Sequence, residues 1–308
     1  MQNNLLFRFY LYQKERFPFI SHGLLIAIFT FSAISYSIIT SGKTNFISIQ
    51  LFIPVVINTV SMFFLLRVSD EFKDKVEDAQ FRPYLPVPRG LISLKELALI
   101  AVFVVVIQLV LNIIYFPKML VLFALVAIVL FFMRYEFFIP SILRKSPVLY
   151  IGTHMIVIPA IDFYASGSDW LLTQYDIPRG LIFFILVSYM NGTVIEFGRK
   201  IRAPENEEHN TYSTLYGRKK ATHLWMLLIS ATFIFAQLAS LYAGYGLLGA
   251  AILLVIYGLC LLPAFFFLKN MSVKNSKWIE KISGIWTILM YLTLGGFPMF
   301  VALIKKFI

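Results

Sequence analysis

Apolar runs of close to twenty residues alternate with short charged segments along the whole chain. Nine runs approach the roughly 17–25 residues that a helix needs to cross a hydrocarbon core of about 30 Å. They cover 17–39, 46–68, 93–116, 119–134, 148–166, 180–198, 221–242, 245–268 and 284–304. The fourth is short, and the fifth is interrupted by Gly152, His154, Pro159 and Asp162. Ahead of them, residues 1–16 carry Arg8, Lys14 and Arg16 and lack a cleavage pattern, which predicts an interfacial helix instead of a removed leader. The pattern predicts an all-α, polytopic membrane protein with nine transmembrane helices.

Composition agrees. Of 308 residues, 59% are hydrophobic, 17% aromatic and 14% charged, and the mean hydropathy is +0.79. A water-exposed surface does not tolerate this, so a soluble enzyme, a disordered chain and a disulfide scaffold are excluded. The one cysteine, Cys260, sits in an apolar run and has no internal partner for a disulfide. A net charge of +11 first resembles a nucleic-acid signature. The basic residues, however, lie in short loops between spans, where they set topology. With the N terminus in the cytoplasm, 22 of the 27 Lys and Arg residues fall on the cytoplasmic side. That orientation expects an odd number of spans, a C terminus on the opposite side and no nucleic-acid partner. In a bacterium the membrane would be the plasma membrane.

The acids change the picture, because topology does not require them. Nine of the sixteen fall in two short segments: Asp70, Glu71, Asp74, Glu77 and Asp78, then Glu196, Glu205, Glu207 and Glu208. Each segment follows a span, the second and the sixth, and the similarity of the following proline-containing loops reads as a weak repeat four spans apart. Asp70, Asp74 and Asp78 are spaced i, i+4, i+8, so a continuous helix would place them on one face. Such a ridge repels itself unless cations are present. Mg²⁺, which takes a few carboxylates together with phosphate oxygens and water, is a natural one. Lys73, Lys75, Arg82 and Arg89 lie close by, and carboxylates with Mg²⁺ beside Arg and Lys are suited to a diphosphate. Pro83, Pro86 and Pro88 exclude helix from the next stretch. The alternatives are a solvated helix laced with Asp–Lys pairs for the first cluster and a local ion pair of Glu196 with Arg199 and Lys200 for the second.

At these two segments the chain resembles the UbiA superfamily of intramembrane prenyltransferases. That family's first motif, N-D-x-x-D-x-x-x-D, is followed by R-P and then by proline, glycine and often I-S. Asp70 and Asp74 match its last two aspartates, Arg82-Pro83 matches R-P, and Pro88 to Ser93 matches the stretch that opens the third helix. Glu196 falls at the first acid of the second motif, D-x-x-x-D, and Thr211 to Gly217 fits its T-x-x-x-x-x-G. Leu66 and Arg67 stand where Asn and Asp are usual, and Lys200 stands at the second acid of the second motif.

The resemblance implies one UbiA-like domain over 1–308, nine helices bundled around a central cavity, and cytoplasmic motif loops at 70–92 and 197–220. It implies that Asp70, Asp74 and Glu196 bind Mg²⁺, with Asp78 a weaker ligand. Arg82, Arg199, Lys200 and Arg202 would hold the diphosphate, with Arg67, Lys73, Asn58 and Asn191 as further contacts. The partners are then an isoprenoid diphosphate, a lipophilic and possibly aromatic acceptor, and membrane lipid. The two acidic patches would meet at the inner mouth of the cavity. Cyclisation of the isoprenoid diphosphate alone, by a class I-like terpene cyclase, is the alternative reaction. A transporter or lipid-binding protein is a third reading, for which only His154 and Asp162 lie deep in a span. Those two would share a face of one helix, eight residues apart.

Overall fold

The computed structural model describes residues 4–173, 176–207 and 211–304, which are helical and without strands. Glu208 and the terminal Lys305 and Lys306, which entered the charge pattern above, lie outside the described residues. In chain order the helices are α1 (Leu5–Arg16), α2 (Phe19–Thr40), α3 (Ile49–Lys73), α4 (Lys75–Phe81), α5 (Leu94–Tyr115) and α6 (Leu120–Arg134). Then come α7 (Pro140–Lys145), α8 (Pro147–His154), α9 (Val157–Trp170), α10 (Leu181–Arg199) and α11 (Tyr212–Tyr216). The last are α12 (Arg218–Tyr242), α13 (Gly246–Lys269), α14 (Val273–Tyr291) and α15 (Phe297–Ile304). Among the described residues nine segments are long and apolar enough to cross a membrane, and they match the nine runs read from hydropathy. The chain is an integral, multi-pass membrane protein.

Three boundaries depart from the pattern. The second span continues as helix to Lys73, because the backbone ladder runs on through the acids, with the amide of Asp74 bonded to the carbonyl of Asp70 at 2.8 Å. The ninth begins at Val273, eleven residues before the apolar run, where Ser272 caps it by accepting from the Asn275 amide. The fifth is two helices, α8 and α9, separated at Met155–Ile156. Pro159 sits in the first turn of α9, where its missing N–H does no harm. His154 and Asp162 therefore do not share one continuous helix face.

The chain divides into two compact units, 1–30 with 47–173 and 31–46 with 174–308. In the first, α3 packs against α5, α6 and α9, and α6 against α9. Lipid tails are as apolar as leucine, so polar ties between spans carry specificity. Thr30 and Thr59 hydroxyls meet at 2.8 Å, and the Tyr164 hydroxyl donates to Asn112 Oδ1 at 2.9 Å. The N-terminal helix joins this core: Tyr12, Phe17 and Ile26 pack with Phe64, Val68, Ile92 and Leu97.

In the second unit α10 packs on α12 and α14, and α13 on α12 and α14. Tyr36 shares its hydroxyl proton between the carbonyls of Gly180 (3.1 Å) and Ala239 (2.8 Å). Between α14 and α15 the helix widens into a π turn at Leu292–Gly296. Gly295 lies there against the Ser32 backbone carbonyl, where any Cβ would collide with main chain. Gly198 likewise leaves room for Ser283, whose hydroxyl accepts from the Trp225 indole at 3.0 Å and fixes the end of α10 that carries the second motif.

Candidate functional site

The first motif is built at the end of α3. Asp70 lies one turn before the helix end, with its carboxylate 3.5 Å from Arg67 Nη2 and 3.3 Å from Lys73 Nζ. Asp74 is the residue that caps α3 (φ −91°, ψ 8°), and its carboxylate is 3.9 Å from the same Lys73. Two carboxylates thus share one ammonium. Both side chains keep access to solvent, 27% exposed for Asp70 and 31% for Asp74. Burial pushes the Asp74 carboxyl up to about 6; Lys73 opposes that rise, while the neighbouring Asp70 and Asp78 add to it. Lys73 is positioned by Tyr150 of α8, whose hydroxyl accepts from it at 2.8 Å and whose ring lies 5.3 Å away. His154 stacks on the far side of this arrangement, 3.9 Å from the Tyr150 ring centre. Tyr150 escaped the sequence reading; its only signal was a polar ring one turn before His154 in a broken span.

The kink at Asp74 separates the third aspartate from the other two. Asp78 is 3% exposed and faces Arg82 (3.1 Å) and Arg16 (3.9 Å). Glu71 is 1% exposed and accepts from Arg16 Nε at 2.6 Å. The i, i+4, i+8 ridge is therefore not one face: Asp70 and Asp74 are open, while Asp78 and Glu71 turn to the N-terminal helix. Two more Arg–carboxylate forks tie α1 to this region. Arg8 binds Glu96 at 2.5 and 3.0 Å, and Arg89 binds Glu15 at 2.6 and 2.9 Å. The Arg89 fork holds the Glu15 carboxyl below the usual carboxylate range. Glu96 also closes a capping box with Ser93 at the start of α5. The R-P-to-I-S stretch is thus a braced connector, in which Gly90 supplies the left-handed turn (φ 79°) that other residues resist. Arg89 belongs to this brace, while Arg82 remains 43% exposed at its edge.

The second motif lies at the end of α10. Glu196 holds Arg199 at 2.6 Å with one oxygen and Lys200 at 2.8 Å with the other. Its side chain is 18% exposed, whereas those of Arg199 and Lys200 are 54% and 32% exposed. Tyr212 lies 5.4 Å from the Lys200 ammonium and stacks on Phe197 at 3.9 Å. Arg202 Nη1 binds Glu280 of α14 at 3.1 Å, and its amide donates to Ser213. Thr211 caps α11, and Gly217 (φ 80°) makes the turn into α12, which gives both ends of the T-to-G spacing a backbone role. Asn191 is fully buried higher in α10, and neither atom of its amide has a hydrogen-bond partner among the described residues. Asn58 is fully buried in α3, where its backbone carbonyl accepts from Gln108 at 3.0 Å.

Among the described residues no three His, Cys, Asp or Glu side chains form a ready cage for a metal. The donors present fit a hard cation that takes one or two carboxylates and completes its shell with water and substrate phosphate, which is the habit of Mg²⁺. They do not fit a softer ion such as Zn²⁺ or Cu⁺, which favours imidazole or thiolate.

A model of the UbiA prenyltransferase family matches residues 24–288 of the chain. No curated protein matches it significantly. A solved structure, from work on digeranylgeranylglyceryl phosphate synthase in membranes, has a similar fold. Its TM-score is 0.61, at 15% identity, over 89% of this chain and 93% of that one.

Proposed function

This chain belongs to the UbiA prenyltransferase family, and from that premise we propose that it ionises an isoprenoid diphosphate with Mg²⁺ and transfers the prenyl group to a lipophilic acceptor. The observation that carries the proposal is the pair of open carboxylates, Asp70 and Asp74, sharing Lys73 at the end of α3. One Mg²⁺ is assigned to Asp70 and Asp74 and a second to Glu196; when bound, they would neutralise the charge that builds on the departing pyrophosphate. Arg82, Arg199 and Lys200 are exposed cations that turn from their carboxylates to phosphate oxygens. The carbon–oxygen bond of the allylic diphosphate breaks, its electron pair leaves with pyrophosphate, and a nucleophilic atom of the acceptor takes the cation. Apolar walls exclude water from that cation. Arg67, Lys73 and Arg202 position the carboxylates and the connector.

Cyclisation without an acceptor is the second reading, favoured by Leu66 and Arg67 in place of the usual Asn and Asp. Purified protein supplied with geranyl, farnesyl and geranylgeranyl diphosphates distinguishes the two. Pyrophosphate release that requires membrane extract as acceptor is expected; release with hydrocarbon products and no acceptor assigns cyclisation. No Mg²⁺-dependent release from any donor rejects both.

The protonation of Asp74 gives a pH prediction. A protonated carboxyl is not a ligand, so apparent Mg²⁺ affinity holds steady above about pH 6 and falls below it. The fall is about tenfold per pH unit while one proton competes with one metal ion. Isothermal titration of Mg²⁺ with a donor analogue present, at pH 7.5, 6 and 5, checks it.

A further inference from the structure

A second feature lies within the first unit, where α3 turns Ser69 and Phe72 to a cavity and not Asp70 or Asp74. The cavity, of about 420 Å³, runs between α3, α5 and α6. It is lined at helical spacing by one stripe from each helix: Met62 to Phe72, Ala98 to Gln108, and Phe123 to Arg134. Such stripes of eleven or twelve residues are about 15–17 Å long at 1.5 Å per residue. That is half of a hydrocarbon core of about 30 Å, one leaflet. Ala98, Ala101 and Ala127 leave the space, and the volume lies within the roughly 300–1,000 Å³ of small-molecule pockets. The inner end is closed by Gln108, whose amide is tied to Asn58.

At the end that meets the cytoplasmic loops in the expected topology stands Arg134. Its guanidinium lies 4.4 Å from the ring centre of Phe72 and 5.9 Å from that of Tyr135. Among the described residues no carboxylate lies within ion-pair distance of it, in a region where Arg8, Arg16, Arg67, Arg82 and Arg89 each have one. Phe131, Tyr135 and Phe138 form an exposed ring cluster beside it, the composition of a membrane–water boundary. An apolar shaft one leaflet deep, with an uncompensated cation at its mouth and an aromatic rim, matches the anatomy of one lipid. We propose that this cavity holds one chain of an anionic membrane phospholipid, with its phosphate on Arg134. A guanidinium stacked on a ring keeps its N–H edges free for phosphate oxygens, which a neutral lipid face does not require. The proposal does not rest on the donor reading, because neither Asp70 nor Asp74 lines the cavity.

Native mass spectrometry tests it on the full-length protein, delipidated and then returned to nanodiscs holding equal phosphatidylglycerol and phosphatidylcholine. One retained phosphatidylglycerol per chain is expected, preferred about tenfold, since the choline ammonium of phosphatidylcholine offsets the phosphate charge that Arg134 would otherwise meet unopposed. Arg134→Gln should bring that preference close to one, and Ala101→Trp should abolish retention of both lipids. Ala127→Leu is the milder filler should the Trp variant not fold, and weakens retention at least threefold. Equal retention of the two lipids by the unaltered protein overturns the proposal, as does a preference that survives Arg134→Gln. Displacement by inorganic phosphate alone overturns it in favour of a bare anion site. Displacement by an isoprenoid diphosphate overturns it in favour of a donor subsite. Pyrophosphate release unaffected by Arg134→Gln separates this site from the catalytic one, so failure of either leaves the other standing.

Discussion

Asp74→Asn lowers Mg²⁺-dependent turnover of the isoprenoid diphosphate by about a thousandfold, about 4 kcal/mol of transition-state stabilisation. The same change makes the metal-free protein more stable near neutral pH. These opposite effects share one cause. The folded protein holds the Asp74 carboxyl near 6, above the 3.8 of a free aspartate. A raised carboxyl contributes its share of stability in the protonated form, fully below about pH 4, and loses it as pH rises through 6. At pH 7.5 the charge is therefore a liability, and a neutral amide of the same shape removes it. With the side chain 31% exposed, solvent screening leaves a gain of about 1–2 kcal/mol. Thermal inactivation in detergent with chelator present should show a higher midpoint for the variant at pH 7.5 and no difference at pH 4. Glu196→Gln gives the same loss of turnover. Its stability moves the other way, because Arg199 and Lys200 lose the carboxylate they hold at 2.6 and 2.8 Å. Retained turnover in both variants would remove these residues from the site.

Arg16→Met produces the largest stability loss. It strips α1 of the guanidinium that faces Glu71 (1% exposed) and Asp78 (3% exposed), and breaking a buried pair from one side costs about 3–5 kcal/mol. Arg67, 3.8 Å from Glu71, and Arg82, at Asp78, offset part of it, so about 3 kcal/mol is expected. The inactivation midpoint then falls by about 6–10 °C. Adding Glu71→Gln should recover at least half of the loss, because the orphaned charge goes with it. A neutral Arg16→Met would mean that α1 does not brace the first motif.

The spans were legible because hydrocarbon demands long apolar helices, and that demand is written residue by residue. What hydropathy missed is where a helix leaves the hydrocarbon and continues in charged sequence. The last turn of α3, with Asp70, and the first turns of α14, with Lys274, Lys277 and Glu280, read as loop although their backbone hydrogen bonds continue. The acids and their basic neighbours at the motifs were also legible, since Glu196, Arg199 and Lys200 are one turn apart on one helix. The division of the first cluster was not. Whether Asp74 or Asp78 is open depends on Arg16, 62 residues before Asp78 in the chain, and on a kink of a single residue. The forks of Arg8 with Glu96 and Arg89 with Glu15 join positions 88 and 74 residues apart, beyond any local periodicity. Tyr150 entered the site through the same kind of distant contact, at Lys73.

In the proposed function, the acids of each motif hold Mg²⁺ for the diphosphate. Equilibrium binding of a non-ionising thiolodiphosphate analogue of farnesyl diphosphate, with and without Mg²⁺, tests it without requiring an acceptor. At least a hundredfold tightening by Mg²⁺ is predicted for the unaltered protein, with that tightening lost in Asp74→Asn and, separately, in Glu196→Gln. Equal affinity with and without Mg²⁺, or a full Mg²⁺ effect in either variant, would contradict it.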